Sequence, residues 1–111
     1  MKPDELEKII SEAFENKQSV TENSDKKILD AIKETIELTD RGNVRVAEKK
    51  NGKWSVNQWV KKAILLSFRV NKMTMSKGPY TTWYDKVPGK SVLWNESDWK
   101  KAGYRHVPNG V

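Results

Sequence analysis

The sequence predicts a small α+β domain, mainly helical with one β-hairpin. Apolar residues recur at helical spacing in separate segments, and an Asn51-Gly52 pair divides two short stretches that alternate apolar and polar. A chain of 111 residues suffices for one modest core. Helices are expected over about 3–16, 24–41, 57–68 and 96–102, with the hairpin over about 44–56.

Leu6, Ile9, Ile10, Ala13 and Phe14 form one stripe on the first helix. Pro3 suits its first turn, and Asp4, Glu5 and Glu7 suit the positive end of its dipole. Lys17–Asn23 is polar and reads as a loop. Asn23 or Ser24 is placed to cap a second helix with the stripe Ile28, Leu29, Ile32 and Ile36, and Gly42 is placed to end it in the left-handed region. The two stripes suggest an antiparallel helix pair. Val44 and Val46 then alternate with polar neighbours, Asn51-Gly52 supplies a type I′ turn, and Trp54 and Val56 resume the alternation. Asn57 is placed to cap the third helix. Its stripe of Trp59, Val60, Ala63 and Ile64, extending toward Phe68, makes it the most apolar helix and the expected centre of the core.

Residues 70–90 mix Met73, Met75, Tyr80, Trp83 and Tyr84 with Gly78, Pro79, Pro88 and Gly89, which predicts extended segments and turns. Asn95 followed by Asp98, with Gly103 beyond, predicts a short capped helix over 96–102 with Trp99 inward. The indoles of Trp54, Trp59 and Trp99 follow the apolar stripes and are expected in the core. Tyr104 and Val107 look built for packing, and no repeat is visible.

The net charge of +6 is unevenly distributed. Residues 1–42 carry 7 basic and 11 acidic side chains; residues 43–111 carry 14 basic, 4 acidic and all five Trp. A basic, aromatic-rich segment can bind anions, although surface lysines also serve solubility. The four arginines, Arg41, Arg45, Arg69 and Arg105, have the forked donor geometry that grips a carboxylate or phosphate. Without Cys there is no thiol chemistry and no Cys-ligated zinc, and His106 stands alone. No nucleophile elbow or glycine-rich phosphate loop occurs. The longest apolar run, Ala63–Leu66, cannot span a membrane, and the acidic N-terminus does not resemble a secretory signal. The residues alone read as a cytoplasmic, non-catalytic module. A stand-alone small basic binding module for nucleic acid or a protein partner remains the alternative, with nucleic acid disfavoured by the expected burial of the Trp rings.

A family resemblance goes further. It is carried by Val44-Arg45-Val46-Ala47-Glu48-Lys49, Asn51-Gly52-Lys53-Trp54, Gln58-Trp59-Val60-Lys61-Lys62-Ala63-Ile64-Leu65-Leu66-Ser67-Phe68-Arg69, Tyr84-Asp85-Lys86-Val87-Pro88 and Gly103-Tyr104-Arg105-His106-Val107-Pro108. These segments resemble the N-terminal domain of the tetrahydrodipicolinate N-succinyltransferases. The resemblance implies an enzyme that transfers succinyl from succinyl-CoA to the amino group of a ring-opened dicarboxylate, on the route to diaminopimelate and lysine. It implies a cytoplasmic homotrimer in which a helical N-terminal domain, here residues 1–103, precedes a left-handed parallel β-helix. Residues 104–111 would then begin the connection to that β-helix. The catalytic Asp and most of the succinyl-CoA contacts would lie in the β-helix and the segment after it, so this chain would bind no cofactor and would be inactive alone. Its partners would be its own β-helix domain, neighbouring subunits and the dicarboxylate substrate, with no membrane involved and nucleic acid disfavoured. Arg105 matches a substrate-binding arginine of the family, and Arg69 is the second candidate, equally readable as a structural brace. Tyr104 stands where Phe is usual, His106 where an apolar residue is common, and Gly89 where a bulkier residue is frequent.

Overall fold

A computed structural model describes residues 1–108. In chain order the elements are α1 (Pro3–Glu15), a 3₁₀ turn (Lys17–Ser19), α2 (Lys26–Asp40), β1 (Ala47–Lys50), β2 (Lys53–Val56), α3 (Gln58–Val70), β3 (Thr74–Lys77), β4 (Thr82–Asp85) and α4 (Glu96–Ala102). The strands form two separate antiparallel hairpins, β1–β2 and β3–β4. The fold is thus α+β, with a second hairpin inside the stretch expected only to be extended. The chain divides into two compact units at Lys72/Met73, inside the 1–103 span that the sequence presents as one domain.

In the first unit, α1, α2 and α3 pack pairwise against one another. Leu6, Ile9, Ile10 and Ala13 come from α1, Ala31 and Ile32 from α2, and Trp59, Val60, Ala63 and Leu66 from α3, with Val20 closing the set. Each fully buried Leu, Ile or Val contributes about 1.5–3 kcal/mol relative to exposure, so this seam holds the unit together. Thr35 is also buried, and its hydroxyl donates to the Ala31 carbonyl at 2.7 Å, so no polar group is stranded. Phe68, which the sequence places toward the stripe, is exposed.

Gly42 ends α2 at φ +76°. Its N–H donates to the Thr39 carbonyl, and the Asn43 N–H donates to that of Leu38, the two bonds of a Schellman motif. The N-terminal caps differ from expectation. Asp25, not Asn23 or Ser24, is the N-cap residue of α2 and makes no side-chain cap, while the Ser24 hydroxyl accepts from the Thr21 N–H at 2.8 Å. Asn57 precedes α3, but its amide donates to the Arg45 carbonyl at 2.7 Å and tethers the hairpin instead of the helix.

Asn51 and Gly52 take φ +52° and +77°, as a type I′ turn demands. The turn sets the register Ala47↔Val56, Glu48↔Ser55 and Lys49↔Trp54. Every even-numbered residue of β1 therefore faces an odd-numbered one of β2. The face carrying Val46, which packs on the core, continues through half-buried Glu48 and Ser55. Trp54 falls on the other face and is 71% exposed, with the Lys49 ammonium 6.0 Å from its ring centroid. The expected burial of the indoles is therefore corrected: Trp59 is buried, Trp94 and Trp99 are half-buried, and Trp54 and Trp83 are exposed.

In the second unit, β3 and β4 pair Met75 with Tyr84 and Ser76 with Trp83. The Trp83 ring covers Gly78 so closely that a Cβ there would lie 2.5 Å from it. Tyr104 and Val107, which look built for packing, are exposed.

Candidate functional site

Arg105 follows α4, and the local sequence explains how that helix forms. The Asn95 side chain accepts from the Asp98 N–H at 3.0 Å, while the Asp98 carboxylate accepts from the Asn95 N–H at 2.9 Å, a complete capping box. Glu96 and Asp98 complement the positive helix end, and Lys100 and Lys101 the negative end. Gly103, at φ +73°, closes the helix by donating its N–H to the Trp99 carbonyl at 3.2 Å.

Seven residues are too few for a helix to persist by itself, and an aromatic cluster supplies the missing contacts. The Trp99 ring meets Trp94 edge-on at 4.9 Å and Tyr104 at 5.5 Å, and lies 5.9 Å from the His106 imidazole. Tyr104 also reaches Trp94 at 6.2 Å. Arg105 lies between two ring-anchored neighbours and is itself exposed. Among the described residues, no acidic side chain pairs with it. The arrangement can offer a charge-bearing fork to a carboxylate from a braced backbone. The sequence places Trp99 inward but does not show that Trp94 and Tyr104 would bracket it. Their positions on either side of a seven-residue capped helix were the available signal.

Arg69 is in the other unit. Its Nε donates to the Val20 carbonyl at 3.3 Å and its Nη2 to that of Gln18 at 3.4 Å. The nearby ion pair between Lys72 and Glu22, at 3.0 Å, closes on the same connection between α1 and α2. Arg69 thus spends donors on the backbone of its own unit.

Two open cavities lie elsewhere. One of about 420 Å³ is bordered by Met1, Asp30, Glu34, Glu37 and Arg41, and one of about 380 Å³ by Ile9, Asn16, Val20 and Ile28. Neither is lined by Arg69 or Arg105. In the first, the Met1 ammonium reaches Glu34 at 2.7 Å, a hydrogen bond that raises the ammonium pKa above its ordinary 8.0. Among the described residues, no cluster of three or more His, Cys, Asp or Glu could hold a metal ion, and no helix is long and apolar enough to cross a membrane.

Comparison with known proteins covers nearly the whole chain. A family model described as "Tetrahydrodipicolinate N-succinyltransferase N-terminal" matches residues 5–70, nearly the full extent of the first unit. A 2,3,4,5-tetrahydropyridine-2,6-dicarboxylate N-succinyltransferase of Pelagibacter ubique is 56% identical over 108 residues, covering 95% of this chain and 39% of its own length. Proteins of the same name from Agrobacterium fabrum and Bartonella henselae are 49% and 46% identical over 96% of the chain, covering 38% and 39% of theirs. The chain therefore spans about two-fifths of the length of the curated relatives it matches. It belongs to the tetrahydrodipicolinate N-succinyltransferase family and corresponds to that family's N-terminal domain.

Proposed function

We propose that this chain is the N-terminal domain of an enzyme transferring succinyl from succinyl-CoA to the amino group of ring-opened tetrahydrodipicolinate, on the route to diaminopimelate and lysine. The observation that carries this reading is the 56% identity, over 95% of the chain, with a protein named for that transfer. In the reaction the amine attacks the thioester carbonyl, the C–S bond breaks, CoA leaves as the thiol, and a base takes the amine proton. Acceptor, thioester and base must be held together, and this domain supplies none of the reacting groups. They belong to the part of the enzyme beyond it, a left-handed parallel β-helix in this reading, which also holds succinyl-CoA.

The domain's contribution is Arg105, whose guanidinium binds a carboxylate of the acceptor, and a surface that packs on the β-helix and on neighbouring subunits of a cytoplasmic homotrimer. The exposed apolar side chains of residues 73–108 suit a surface meant to be covered. Arg69, bonded to backbone carbonyls, serves as a brace. The exposure of Trp54 and Trp83 removes the burial argument against base stacking, and family membership is the reason to set a nucleic-acid role aside.

The test is kinetic. Full-length enzyme should release CoA thiol only when both substrates are present, and the isolated 111-residue chain should release none. Arg105→Ala should raise KM for the amino substrate about tenfold or more, the worth of a charge-assisted hydrogen bond, and leave KM for succinyl-CoA unchanged. Transfer by the isolated chain at an enzymatic rate would overturn the division of labour. Unaltered kinetics in Arg105→Ala would remove that residue's role.

A further inference from the structure

We infer that Trp99 is the positioning residue for Arg105, holding the arginine's backbone so that its guanidinium meets a carboxylate in one orientation. The inference rests on the reading of Arg105 given above. Both residues flanking the arginine are anchored on the same indole, Tyr104 at 5.5 Å and His106 at 5.9 Å between ring centroids. The main chain of Trp99 also takes part, since its carbonyl accepts the N–H of Gly103, two residues before the arginine. Trp99 is in turn braced by Trp94 at 4.9 Å and sits one residue after Asp98, which completes the capping box.

The indole therefore anchors the side chains at 104 and 106 and the Trp99 carbonyl holds the backbone at 103, while Arg105 itself stays exposed. One of the indole's ring contacts, with Trp94, precedes the helix, and the other two, with Tyr104 and His106, are made with the segment beyond the helix end that carries Arg105. An arginine on a loose tether must order both its backbone and its side chain when it binds. One on a fixed backbone orders only the side chain, and that difference appears in affinity for the group it grips.

The experiment uses the full-length enzyme and compares Trp99→Ala, Trp99→Phe, Arg105→Ala and the double variant Trp99→Ala/Arg105→Ala. Trp99→Ala should raise KM for the amino dicarboxylate about tenfold, given how steeply positioning errors lower binding and rate, with KM for succinyl-CoA within about twofold. Trp99→Phe keeps a ring at the centre of the cluster and should restore KM to within about threefold of wild type. The double variant should be no worse than Arg105→Ala alone, because the indole acts through the arginine. Additive losses, or equal changes in both KM values, would make Trp99 merely structural and overturn the inference. A raised KM in Arg105→Ala with none in Trp99→Ala would overturn this inference alone. No change in Arg105→Ala would bring down the Arg105 assignment and this one with it. Should Trp99→Ala fail to fold, the pair Tyr104→Ala/His106→Ala leaves Trp99 in place, cuts both flanks loose and should show the same tenfold rise.

Discussion

Residues 1–72 contain all the buried side chains of the described chain, whereas from Met73 to Pro108 every residue is half-buried or exposed. The contrast is not one of apolar content: the later stretch has Tyr84, Val92 and Leu93, the last 92% exposed. Nor is it one of net charge, which is +3 in each unit (15 basic against 12 acidic, and 6 against 3) although the second is little more than half as long. The difference is spacing. In the first unit the apolar residues share one face of each helix and three helices can close on one another. In the second they are spread over a two-stranded hairpin, a run of turns and a seven-residue helix, none of which encloses a volume. Apolar side chains left exposed in this way are available to meet something outside the chain.

The largest expected effect tests that contrast directly. Leu66→Ala empties a fully buried site in the three-helix seam and should cost about 2–5 kcal/mol, whereas Leu93→Ala should stay within about 0.5 kcal/mol in the isolated chain. Denaturant unfolding of the two variants measures both, and equal losses would break the comparison. A smaller effect sharpens it. Gly42→Ala meets no atom within 4 Å but must adopt φ +76°, so it should cost about 1 kcal/mol through strain alone. Gly89→Ala, with ordinary backbone and only the Val92 Cβ at 4.0 Å, should be silent in the same melt. The smallest effect is electrostatic. Because folding raises the Met1 ammonium pKa, its pairing with Glu34 stabilises the fold fully below pH 8.0 and is lost as pH rises through the elevated value. A slight fall in Tm of the first unit above pH 8 should vanish in Glu34→Gln.

Much of the first unit was legible because one physical rule dominates there. The stripe of Leu6, Ile9, Ile10 and Ala13 is the face α1 buries, and Gly42 and Gly52 take the left-handed conformations their positions suggest. The misplacement of Trp54 has an equally plain cause. Both strands of the hairpin alternate, but a two-residue turn pairs even positions with odd ones, so the side of Val46 cannot also be the side of Trp54. That parity could have been worked out from Asn51-Gly52 alone. The second hairpin was harder to see, since Gly78 and Pro79 mark a turn without fixing which residues pair across it. Of the candidate site, the capped helix could be read from Asn95, Asp98 and Gly103, Arg105 was singled out by the family resemblance, and the bracketing of Trp99 by Trp94 and Tyr104 was not read. Aromatic clusters form between residues brought together by a helix and its cap, and no single period runs through 94, 99, 104 and 106.

The exclusion of four indoles from the core has a practical outcome. Emission from this protein will come mostly from chromophores in contact with water, with Trp59 the one shielded reporter. Intrinsic fluorescence should therefore change little when the three-helix seam melts. In the proposed assembly, where residues 73–108 are covered, it should shift strongly to the blue, so the same signal that is a poor thermometer of folding becomes a direct gauge of assembly.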